Sequence, residues 1–188
     1  EPLDAPTGAI VRDVKINRGL GEAEFQEIHK AWLDYQVLVI PKQNLTQEEQ
    51  IKFARTWGEF PKRERYEKRA EKGTADKSIM LVSNIRENGK PIGSLPDGEM
   101  MFHSDGAHRS SPYRAITLYG IKIPSRGGDT LFANLYKAYD ALPLKTKTLV
   151  ENLVTRIVYD YEAVDRAHTI AANPVLPRAR HSLVKVHP

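Results

Sequence analysis

His103 and Asp105 stand two residues apart in "MFHSDGAH", residues 101–108. An imidazole nitrogen and a carboxylate oxygen at that spacing are two of the three donors of the 2-His-1-carboxylate facial triad. That triad holds Fe(II) and leaves coordination positions open for chemistry. Residues two apart on a β-strand share a face, so the spacing predicts that both converge on one metal ion. The pair by itself is a weak signal, because 24 acids in 188 residues give six histidines about one accidental His-x-acid match. Downstream, Gly127-Gly128-Asp129-Thr130 supplies a tight turn where φ > 0 is free. Thr130 then opens the next apolar segment with a hydroxyl able to donate to a carboxylate. Alone, that tetrad also suits a plain hairpin.

These residues need a scaffold, and the chain supplies signals for one. Ala9 to Val14 can form an opening strand. "GEAEFQEIHKAWLDYQ" places Phe25, Ile28, Trp32 and Tyr35 at helical spacing, with His29 beside the stripe as a packed or surface histidine. "VLVIPK" reads as a strand ended by Pro41. "LTQEEQIKFARTWGEF" starts with a capping box, Thr46 to Glu49, and its pattern predicts burial of Ile51, Ala54 and Trp57. "SIMLVSN" reads as a continuous apolar strand, and "IRENGKPIGSLPDGEM" as a long turn or flap. "YRAITLYGIKI" and "DTLFA" alternate as strands. "NLYKAYDALP" and "LKTKTLVENLV" read as two short helices split at Pro143. Helices come first, strands in the middle and helices again, which is no βαβ rhythm. The order predicts a mixed α/β fold, mainly antiparallel β.

Composition narrows the class. Hydrophobic residues make up 40% and charged residues 28% of the chain, as in ordinary globular domains. No apolar run approaches the ~18 residues of a membrane span. Cysteine is absent, which removes disulfides and thiolate metal sites and fits a reducing cytoplasm, the expected location. The net charge of +4 gathers locally. Lys62, Arg63, Arg65, Lys68, Arg69 and Lys72 face Glu64, Glu67 and Glu71, six against three, or +3 across 62–72. Interleaved signs describe a solvated face or loop rather than the uniform basic stripe of a nucleic-acid binder. A small anion meeting a few of these cations is the functional alternative. No nucleic acid and no membrane partner is expected, and a homo-oligomer is left open.

Together, "FHSDGAH", "AITLYGIKIP" and "GGDTLFANLYKAYDALP" resemble the taurine dioxygenase/TfdA family of iron(II)- and 2-oxoglutarate-dependent oxygenases. The family pattern is tryptophan-His-x-Asp, an apolar strand ending in proline, then Gly-Gly-Asp-Thr and an aromatic-rich helix ending Ala-Leu. Phe102 stands where the family usually has tryptophan. "VLVIPKQNLTQEEQIKFARTWGEF" is similar to the family's N-terminal half, and "RHSLVKVHP" to its run before the later strands.

The resemblance implies a double-stranded β-helix (jelly roll) core with flanking helices. It makes His103 and Asp105 iron ligands and Thr130 a contact to the co-substrate 2-oxoglutarate. It sets Arg63 and Glu99 at substrate-side positions, although Glu99 carries a charge where the family has an amide. The implied reaction uses dioxygen to hydroxylate a small anionic substrate such as a sulfonate, an aryloxyalkanoate or another carboxylate, and releases succinate and CO₂. The family takes its second iron histidine and its 2-oxoglutarate arginine from beyond "VHP". The expectation is therefore a single catalytic domain over 1–188 lacking its C-terminal portion, with the parent chain continuing for several tens of residues. His108, His168, His181 and His187 are read as structural or exposed. Two rivals use the same residues: a non-catalytic jelly-roll binding module, and a cupin-type metalloenzyme that needs no 2-oxoglutarate.

Overall fold

A computed structural model describes residues 1–61, 78–93, 100–159 and 177–187. They divide into two compact units, Glu1–Met101 with Thr117–Asn134, and Phe102–Ile116 with Leu135–Pro188. No described helix is long and apolar enough to cross a membrane.

The first unit begins with strand β1 (Ala9–Ile10), a 3-10 turn at Ile16–Arg18, helix α1 (Glu22–Tyr35) and strand β2 (Leu38–Val39). β1 and β2 pair in parallel. This is a miniature βαβ step that the sequence pattern did not suggest. Glu22 and Glu24 lie in the first turn of α1, where acids complement the helix dipole. The helix stops at Gln36, which adopts φ 61°. The Gln36 side chain then accepts hydrogen bonds from Thr7 Oγ1 at 3.2 Å and Asn134 Nδ2 at 3.0 Å. Ile28 of α1 is buried. Two rings of the helical stripe, Phe25 and Trp32, and Trp57 after the next helix lie 5.7–5.9 Å from the His29 ring between centroids.

Helix α2 (Gln47–Thr56) opens with the expected capping box. Thr46 Oγ1 accepts from the Glu49 amide at 3.2 Å, and Glu49 Oε2 accepts from the Thr46 amide at 2.8 Å. Its apolar face is only half covered, since Ile51, Ala54 and Trp57 are all of intermediate exposure. Within the expected flap, Arg86–Glu87 (β3) and Lys90–Pro91 (β4) form a hairpin. Asn88 and Gly89, at φ 49° and 76°, make the two-residue turn that Asn-Gly favours. Residues 78–84, 113–123 and 129–133 run without ladder pairing, so the three strands expected there are not formed among the described residues. Alternation registers the demand for burial, while a strand also needs a partner edge. Tyr119 instead anchors its segment by accepting from the Leu45 amide at 3.0 Å.

The second unit holds helices α3 (Leu135–Asp140) and α4 (Leu144–Val150), separated as expected at Pro143. Strands β5 (Val154–Val158) and β6 (Arg178–Ser182) then pair antiparallel, with Thr155 opposite His181 and Ile157 opposite Ala179. The expected helix over "LKTKTLVENLV" thus ends early, and its last residue begins β5. The architecture is mixed α/β built from small two-stranded sheets.

Candidate metal centre

His103 and Asp105 belong to the second unit, and a turn rather than a strand carries them. Gly106, buried at φ 67°, lies inside that turn directly after Asp105. A Cβ there would lie 3.0 Å from the Tyr113 ring, so the position needs glycine for both conformation and space. Hydrogen bonds from the Ala107 amide to Ser104 O and from the Arg109 amide to Gly106 O close it, at 3.4 and 2.9 Å.

The turn brings His103 Nε2 to 3.1 Å from Asp105 Oδ1. Convergence of the two side chains agrees with the sequence, but the expected cause, a shared strand face, is corrected. The donor set can be tested on this distance. Two cis ligands on a metal with bonds of about 2.1 Å lie about 3.0 Å apart, close to the separation seen. Both side chains are half exposed. When Nε2 carries hydrogen, the same contact is a hydrogen bond. A metal must displace that hydrogen to use the lone pair. Among the described residues, no group of three or more His, Asp or Glu side chains is set to hold one ion.

Three other histidines of this unit have definite neighbours. His181 Nε2 lies 2.9 Å from the Ala107 carbonyl and His187 Nε2 lies 3.1 Å from the Arg114 carbonyl. His108 packs its ring on Tyr159 at 4.6 Å between centroids. The sequence carried no signal for the His181 contact, because the pairing of "VTRIV" with "RARHS" that makes β5 and β6 joins segments far apart in the chain.

Thr130 is placed in the first unit and is exposed. It follows Gly127 and Gly128, whose φ values of 71° and 75° match the expected turn. Arg63, Glu99 and His168, together with the basic segment 62–72, lie outside the described residues.

The whole chain, residues 1–188, matches the sequence profile described as taurine catabolism dioxygenase TauD, TfdA family. It is 32% identical over 204 residues to the (S)-phenoxypropionate/alpha-ketoglutarate-dioxygenase of Sphingobium herbicidovorans, covering 100% of this chain and 66% of that protein. It is 29% identical over 170 residues to the alpha-ketoglutarate-dependent 2,4-dichlorophenoxyacetate dioxygenase of Cupriavidus pinatubonensis, covering 81% of this chain and 55% of that one. The crystal structure of AAD-2 in complex with Mn(II) and N-oxalylglycine superposes at a TM-score of 0.65 with 22% identity. That match covers 100% of this chain and 64% of that one. The chain therefore spans less than two thirds of the length of these proteins.

Proposed function

The chain belongs to the taurine catabolism dioxygenase TauD/TfdA family, and from that membership we propose that it forms part of an Fe(II)- and 2-oxoglutarate-dependent dioxygenase acting on a small anionic substrate. The observation that carries the proposal is the 3.1 Å approach of His103 Nε2 to Asp105 Oδ1 on a solvent-open turn. Those two atoms would hold the metal from one side. Bound Fe(II), with 2-oxoglutarate beside it, supplies the activation of dioxygen that places a hydroxyl on a substrate C–H and releases succinate and CO₂.

The chain's own residues orient and select. Asp105 contributes the negative charge that offsets the cation. In this proposal the Thr130 hydroxyl donates to a carboxylate of 2-oxoglutarate, and Arg63 and Glu99 are assigned to the substrate by the family resemblance, with Lys62 as a further cation for its anionic group. Two relatives with aryloxyalkanoate names favour a phenoxy acid over a sulfonate. A jelly-roll core belongs to the same proposal. Ile116, Leu118, Ile121, Ile123, Leu131 and Phe132 are each more than half exposed, apolar surface that a fuller sheet would bury.

The test is twofold. Anaerobic Fe(II) with 2-oxoglutarate should produce a weak visible charge-transfer band in the full-length protein. Succinate release should then depend on substrate across phenoxypropionate, dichlorophenoxyacetate and alkylsulfonates. Absence of the band favours the cupin-type or binding-module alternatives. The band without substrate-dependent succinate removes the substrate assignment alone.

A further inference from the structure

We infer that His181 is a positioning residue that presets the His103–Asp105 turn from the neighbouring β-ribbon. The inference rests on the assignment of those two residues as metal ligands.

The ribbon has a covered face. Thr155, Ile157, Ala179 and His181 form two cross-strand pairs, Ala179 is buried, and the other three are of intermediate exposure. Cross-strand partners and residues two apart share a face, so His181 projects on the covered side. Its Nε2 meets the Ala107 carbonyl at 2.9 Å. A carbonyl oxygen only accepts, so Nε2 carries the hydrogen and donates. Ala107 follows Asp105 by two residues, within the same turn.

A second contact reaches the turn from the same ribbon. His108 packs on Tyr159 at 4.6 Å, and Tyr159 continues β5 by donating its amide to the Pro177 carbonyl at 2.8 Å. Within the turn, Gly106 lies close against the Tyr113 ring. Ala107 and His108 are thus tied to the ribbon while His103 and Asp105 stay half exposed. Such an arrangement lowers the ordering that metal binding must otherwise impose on a loop. The His181 hydrogen bond is its directional member.

The experiment compares wild type, His181→Leu, His181→Gln and His103→Ala in the full-length protein. Mn(II) affinity is read by electron paramagnetic resonance of the free ion, and amide hydrogen exchange is followed in the metal-free state. His181→Leu removes the donor at similar size, so exchange at Ala107 and Arg109 should accelerate while the β5–β6 amides stay protected. Mn(II) binding should weaken roughly five- to tenfold, the factor that one hydrogen bond of ordinary net strength carries. His181→Gln retains an N–H donor and should recover most of both effects. Loss of Mn(II) affinity in His103→Ala with none in His181→Leu overturns the positioning role while leaving the ligands in place. No loss in either variant overturns the ligand assignment and the inference with it. If the ribbon amides lose protection together with the turn, His181 serves the fold alone and the inference fails.

Discussion

Replacing Asp105 with asparagine is the sharpest test of the turn as a metal site, because it removes one charge and almost no volume. Asp105 Oδ1 and His103 Nε2 are 3.1 Å apart, and their side chains are 50% and 48% exposed. That exposure calls for a dielectric near that of water. A unit negative charge about 2.1 Å from a divalent cation in such a medium contributes about 4 kcal/mol, which is roughly a thousandfold in affinity. An asparagine oxygen can still coordinate, so the loss reports charge rather than geometry. The contact itself stabilises the fold by less than about 1 kcal/mol, as exposed side-chain pairs do. Asp105→Asn should therefore weaken Mn(II) binding by about three orders of magnitude and barely move the thermal midpoint. Titration of the free Mn(II) resonance together with a melting curve reads both quantities. Mn(II) affinity within threefold of wild type, or a loss that tracks unfolding, would refute the reasoning.

Thr130→Val keeps the β-branched shape and removes the hydroxyl; a lost bond to a charged group is worth about 1.5–3 kcal/mol. The KM for 2-oxoglutarate should rise tenfold or more with Mn(II) affinity unchanged, and an unmoved KM would reduce Thr130 to a turn residue. If the substrate is an anion held by charge-assisted bonds, as proposed, its ester or amide analogues should show much lower kcat/KM than the acid; equal values remove the anion assignment. Thr46→Ala deletes one half of the capping box that opens α2 and should cost about 1 kcal/mol in urea denaturation, with metal binding untouched.

Short-range chemistry was the part of this fold most legible in the sequence. Thr46 and Glu49 identify their helix start because the two hydrogen bonds close within four residues. Pro143 separates α3 from α4 because it lacks the amide an uninterrupted helix would need. The Asn88-Gly89 hairpin carried an equally local signal that the surrounding Gly and Pro residues obscured. Strands were less legible, since 113–123 has the alternation of a strand without a paired edge, and "RARHS" has little alternation yet pairs fully with β5. Pairing depends on what lies across the gap, which a period within one segment does not encode. At the site, residue types and spacing pointed to His103 and Asp105. The means of their convergence, a turn that contains Gly106, was hidden because His-x-Asp spacing suits a strand and a turn alike.

The first unit is discontinuous along the chain, which bears on the order in which the protein is made. Asn134 donates to the Pro6 carbonyl across 128 positions, so this unit cannot finish folding until residue 134 has left the ribosome. Helices α1 and α2 can form early, but the long closure raises contact order and slows completion. The turn with His103 and Asp105 emerges inside that interval. His181 follows its acceptor Ala107 by 74 positions, which takes roughly 4–15 s at cellular elongation rates. A nascent chain thus displays both donor side chains for seconds before the ribbon that grips their turn exists. If His103 and Asp105 hold a metal as proposed, its capture at the preset geometry follows synthesis of β6 rather than of the two ligands themselves.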